Sequence, residues 1–105
     1  MAVFQAMKAV EVHVREAAGL AAGDIGTDLI RRAFHEETGP LTDKSVERSE
    51  RQATSALFAG AIGSYKNPHS HRDVNLNDPD EAMEIVSLAN HLLRIVDSRV
   101  AAGCP

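Results

Sequence analysis

The sequence predicts an all-α fold: a four-helix bundle with three long helices and one short one. Three observations carry that reading. Apolar residues recur at spacings of three and four along most of the chain, and no segment sustains the period-two alternation of a strand. The composition is weighted toward helix formers, 44 % hydrophobic with three Phe, one Tyr and no Trp, so the core is built from Ala, Leu, Val and Ile. At 105 residues the chain fits one domain with a single core, and such a domain buries about two-thirds of its unfolded surface.

The first helix is expected over residues 2–22. Val3, Met7, Val10, Val14, Ala17 and Ala21 form one apolar face, and Gln5, Lys8, Val12, Arg15 and Glu16 lie opposite. Gly23 to Gly26 breaks the pattern. Thr27 is the expected N-cap of a short helix over 28–37, with Leu29, Ile30, Ala33 and Phe34 turned inward, and Thr38-Gly39-Pro40 ends it. The third helix is expected over 43–66, with Val46, Ala53, Leu57 and Ala61 as its inner face. Ala56, Gly60, Gly63 and Ser64 give it a smooth flank that a neighbouring helix or a second subunit can approach closely. The fourth helix, 79–102, has the clearest start: Asp78 as cap, Pro79 at the first helical position and Glu81 completing a capping box. It is expected to bury Ala82, Ile85, Val86, Ala89, Leu92, Leu93, Val96 and Val100, and to end at Gly103. The first helical pattern begins at residue 3 without an entry signal, which suggests sequence missing ahead of Met1.

A formal charge of −4 argues against a general nucleic-acid coat but leaves room for a local cationic site. Cys104 is the only cysteine, so no internal disulfide forms. No apolar run approaches the ~18 residues of a membrane span, and no signal peptide is visible. A cytoplasmic protein with no membrane partner is the expectation.

Against this background the run from Tyr65 to Arg72 stands out, because it gathers Lys66, Asn67, His69, His71 and Arg72 where the third helix ends. Pro68 biases Asn67 away from helix, so Lys66 is expected to project from the last turn, with the histidines on the loop behind it. The chemistry suits metal-independent cleavage of an RNA phosphodiester. His71 is placed to act as general base on the ribose 2′-hydroxyl or as general acid toward the leaving oxygen. Lys66 would stabilise charge on the phosphoryl oxygens, and Asn67 would orient the phosphate or the imidazole. His69 and Arg72 read as phosphate contacts or solvated neighbours rather than catalysts. The product would carry a 2′,3′-cyclic phosphate, because the nucleophile belongs to the RNA. His69-x-His71 with Asp73 lacks a fourth ligand placed by the fold, so neither metal nor other cofactor is assigned.

The run Lys66-Asn67-Pro68-His69-Ser70-His71, at a helix end and ahead of an acid-capped helix, resembles the motif of the HEPN superfamily. That motif is an Arg, a polar residue and a His, with four to six residues between the first and the last. More narrowly, Gly60-Ala61, Asn67-Pro68 with His71, and the Asp78-Pro79 helix carrying Ala82 resemble the Ymh-type family of conserved hypothetical proteins, a HEPN branch. The stretch from Ala2 to Gly19, with Ala9-Val10-Glu11 and Val14-Arg15-Glu16, is similar to that family's first helix. The resemblance covers nearly all of the chain. It implies a HEPN-like helical bundle, RNA as substrate or ligand, a homodimer with the motif segments facing a shared groove, and a defence, phage or toxin–antitoxin setting with an antitoxin as partner. It also implies further sequence ahead of residue 1. Lys66 stands where the family has Arg, and Lys lacks the planar fork that grips a phosphate through two hydrogen bonds. That departure is what favours the alternative of a non-catalytic domain that binds RNA or a nucleotide, or only dimerises.

Overall fold

The computed structural model describes residues 2–67 and 78–103, which hold four helices and no strand. These are α1 (Ala2–Ala18), α2 (Gly26–Ala33), α3 (Arg48–Ala61), which continues into a π-helical segment (Ile62–Lys66), and α4 (Pro79–Ala101). The all-α expectation holds. The hub is α1, which packs along α4 on one side and against α2 and the π segment on the other, while α3 leans on α2. One contiguous cluster of buried side chains joins all of them, from Val3, Met7, Val10 and Val14 to Ile85, Ala89, Leu92 and Val96.

Helix α1 stops at Ala18, four residues short of expectation, because Gly19 turns left-handed at φ +69°. Its N–H donates to the Glu16 carbonyl (3.2 Å) and the Leu20 N–H to the Arg15 carbonyl (3.0 Å), the paired bonds of a Schellman ending. Ala21 therefore lies outside the helix and is exposed. Within α1, His13 Nε2 meets Asp97 Oδ1 of α4 at 2.7 Å, tying the two helices at the surface.

Helix α2 starts two residues earlier and ends four residues earlier than expected. Thr27 is not its cap: the N-cap is Ile25, which has no side-chain acceptor, and Thr27 lies inside the helix. Leu29, Ile30, Ala33 and Phe34 are buried as expected. The chain then folds into a tight turn closed by Leu41 N–H to the Ala33 carbonyl (3.0 Å), Gly39 N–H to the His35 carbonyl (2.9 Å) and Thr42 Oγ1–H to the same carbonyl (2.6 Å). Gly39 is buried so tightly that a Cβ would fall within 3.0 Å of His35 N, Thr42 Oγ1 and the Ala33 carbonyl. Only glycine closes this turn.

The residues before Arg48, expected to be helical from 43, form a loop instead. Ser45 folds back onto Asp43, both its N–H (3.0 Å) and its hydroxyl (2.6 Å) donating to Asp43 Oδ1. Those bonds hold the Asp43 carboxyl below its ordinary value, the hydroxyl contributing most. Arg51 then reaches back from α3, donating to the carbonyls of Val46 (2.9 Å), Glu36 (3.2 Å) and Lys44 (2.8 Å). The side chains thus satisfy the backbone in a form that competes with helix.

The expected inner face of α3 is corrected as well. Ala61 is buried as expected, but Ala53 and Leu57 are exposed and Val46 belongs to the loop; Phe58 and Ile62 are buried instead. Phe58 stacks on Phe34 with ring centroids 4.3 Å apart, which joins α3 to the end of α2. Helix α4 begins as expected, Asp78 Oδ1 accepting from the N–H groups of Asp80 (2.9 Å) and Glu81 (3.4 Å). It ends at Ala101, with Gly103 left-handed, and Val100 is exposed rather than buried.

Candidate functional site

The end of the third helix is built by a register of four: Phe58, Ile62 and Lys66 fall in line on its buried side. The widened π turn of Ile62–Lys66 closes on the Asn67 N–H, which donates to the Ile62 carbonyl. Lys66, expected to project outward, is carried into the bundle. Single π turns of this kind recur at functional positions in helices.

Inside the bundle, Lys66 meets a carboxylate. Its Nζ lies 3.2 Å from Oε2 of Glu11, a side chain of α1 with no solvent exposure. The Gly26 N–H donates to the same oxygen at 2.8 Å, so Glu11 caps the start of α2 from another helix. Gly26 is left-handed at φ +63°, which aims its N–H at Glu11. The Asn67 amide lies over this position, its atoms 3.9 Å from the place a Cβ would occupy. The other oxygen of Glu11, Oε1, is buried without a hydrogen bond but faces Lys8 Nζ at 3.4 Å and Arg15 Nη2 at 3.7 Å. Burial alone pushes the Glu11 carboxyl up. The Gly26 N–H, the Lys66 hydrogen bond and charge, and the Lys8 charge outweigh it and hold the group below its ordinary value.

One buried carboxylate therefore sits among three cations, Lys8, Arg15 and Lys66, leaving a local surplus of positive charge in a chain of net charge −4. Of the motif residues expected from sequence, Lys66 and Asn67 are both here. Lys66 is buried and Asn67 is half-buried against the start of α2. His69, His71 and Arg72 lie outside the described residues.

Glu11 is the residue that sequence reasoning missed. Its signal was present: it stands four residues after Met7 and three before Val14, a charged side chain on the apolar stripe, where ionised groups are found only when paired. The flank of small residues is partly used within the chain, since Gly63 faces Thr27 of α2 at van der Waals distance, while Gly60 is exposed. Among the described residues no group of His, Cys, Asp and Glu is arranged to hold a metal ion, and no helix is long and apolar enough to cross a membrane.

Neither the curated proteins nor the solved structures yield a match to this chain. A family model described as "Protein of unknown function (Hypoth_ymh)" matches residues 1–96. With the match extending from α1 through most of α4, the chain belongs to the Hypoth_ymh family.

Proposed function

We propose that the chain is a HEPN-like, metal-independent endoribonuclease module that cleaves RNA by attack of the ribose 2′-hydroxyl, acting as a homodimer in a defence or toxin–antitoxin setting. The observation that carries this reading is the cationic cluster at the end of the third helix. Lys66 is fixed at 3.2 Å by one oxygen of Glu11, whose other oxygen faces Lys8 and Arg15, and Asn67 follows it. The chain runs from there into His69, His71 and Arg72. A cation whose position is set by packing needs no reorganisation as charge develops on a phosphoryl oxygen. In this reading His71 moves the proton, Lys66 supplies positive potential, Asn67 orients, and His69 and Arg72 contact phosphate.

A second reading is favoured by the same pair. The Lys66 ammonium is engaged by Glu11, and an ion-paired Lys in place of Arg suits a domain that binds RNA or a nucleotide, or only dimerises, without cutting. One experiment separates the two. The protein and its His71→Ala variant are incubated with mixed-sequence single-stranded RNA in EDTA, and the products are analysed for 2′,3′-cyclic phosphate ends. Cleavage that disappears in the variant supports the nuclease. Salt-sensitive retention of RNA without cleavage supports the binding domain. A dimer with no effect on RNA overturns the first reading and the RNA-binding form of the second.

A further inference from the structure

Between α2 and α3 runs a groove of ≈ 600 Å³. Thr27, Arg31 and His35 line one wall, Gln52 and Ala56 the other, and Gly60 opens the floor. A Cβ at Gly60 would meet nothing within 4 Å, so this floor is free space rather than packed backbone. Four arginines lie in or beside this part of the chain, and three are committed. Arg32 pairs with Asp24, Arg48 pairs with Glu36, and Arg51 holds three carbonyls of the preceding loop. Arg31 is exposed, lines the groove, and has no ion pair or hydrogen bond among the described residues. Glu36, the acidic group in the groove, has its carboxylate taken by Arg48 and by Gln52 Nε2 (3.0 Å). The groove therefore carries one uncommitted cation, Arg31, and no open acidic charge among its lining residues.

We propose that this groove seats one nucleotide of a single-stranded RNA, its phosphate on Arg31 and its base against Ala56 and Gly60. The proposal rests on the ribonuclease reading and names where the strand lies beside the cleavage motif. Gly63 lines the near end of the groove, and Gly60 precedes Lys66 by six residues, roughly 9 Å along a helix. The groove and the cation cluster thus share the same helix, the groove on its exposed side and Lys66 on its buried side about two turns on. An amphipathic helix of a protein partner fits less well. None of the exposed large hydrophobic residues Ile25, Leu57, Met83 and Val100 lines the groove, and its one large apolar side chain, Phe34, is buried, so the lining itself gives such a helix no row of exposed apolar anchors. Ala56 and Gly60 carry no side-chain hydrogen-bonding group to read a base edge, so binding is expected to be tolerant of sequence.

The test is fluorescence anisotropy with a labelled mixed-sequence single-stranded RNA 12-mer, in the His71→Ala background so that turnover does not consume the probe. Arg31→Ala is expected to weaken binding about tenfold, the scale of one charged hydrogen bond, and to lower the salt slope by about one. Gly60→Leu fills the groove from an open surface position and is expected to weaken binding similarly, with helix content unchanged by circular dichroism. Arg94→Ala, on the exposed face of α4, is expected to leave binding unchanged. RNA binding that persists at parental affinity in both groove variants overturns the groove proposal and leaves the ribonuclease reading standing. No RNA binding by the parent at any salt concentration overturns both.

Discussion

Replacing Glu11 by Gln removes one charge from the junction of α1, α2 and the third helix while keeping volume and an acceptor for the Gly26 N–H. At the 3.2 Å separation from Lys66, the gross attraction is roughly 5 kcal/mol at an effective dielectric of about 20. Desolvation of both groups offsets much of that. The variant therefore reports the cost of burying Lys66 without its carboxylate, about 3–5 kcal/mol by comparison with other broken buried pairs. Native domains are stable by only ~5–15 kcal/mol, so the change is large. Urea unfolding followed by circular dichroism measures it as a shift of midpoint. The double variant Glu11→Leu with Lys66→Met, which removes both charges, is expected to recover most of the loss. The dependence on pH has a definite sign. The folded Glu11 carboxyl lies below its ordinary value, so its stabilisation is fully present above the unfolded carboxylate range. It fades as pH falls through the folded value. The parent should thus lose more stability on acidification than Glu11→Gln does. A Glu11→Gln midpoint equal to that of the parent at neutral pH, with the same acid limb, would refute this account of the junction.

Three further outcomes follow from the packing. Gly39→Ala drives a methyl into the backbone of the 34–42 turn and is expected to lower stability by about 1–3 kcal/mol in urea unfolding. Phe58→Ala removes the ring stacked on Phe34 and is expected to cost about 3–5 kcal/mol, with hydrogen exchange accelerating in both α2 and α3. Asp78→Ala strips the acceptor from the first turn of α4 and is expected to cost about 1 kcal/mol, readable as a lower Tm.

The helices were legible in the sequence wherever periodicity and end signals acted together. Helix α4 is the best case, because Asp78, Pro79 and the stripe from Ile85 to Val96 all agree with one another. Where a side chain from elsewhere decides an end, the local sequence misleads. Thr27 reads as a cap, yet the start of α2 is satisfied by Glu11, fifteen residues before Gly26. The loop before α3 reads as helix, yet Arg51 and the Asp43–Ser45 turn offer its backbone other partners. The inner face of α3 is ambiguous in the sequence because Ala53 and Leu57 fit the apolar spacing as well as Phe58 does, and spacing alone does not say which side meets α2. The candidate site was half legible. Lys66 and Asn67 were found from their types and their position at a helix end. The carboxylate that holds Lys66 is remote in sequence, and only the fold brings it there.

The Glu11–Lys66 contact has a consequence for how the bundle finds its alignment. Helices faced with Ala, Val and Leu slide past one another at little cost, since many offsets bury similar area. A carboxylate and an ammonium fifty-five positions apart along the chain suit only one offset, and every other arrangement shuts an ion away from both water and its mate. The pair thus acts as a dowel, adding little to cohesion and much to the uniqueness of the assembled form.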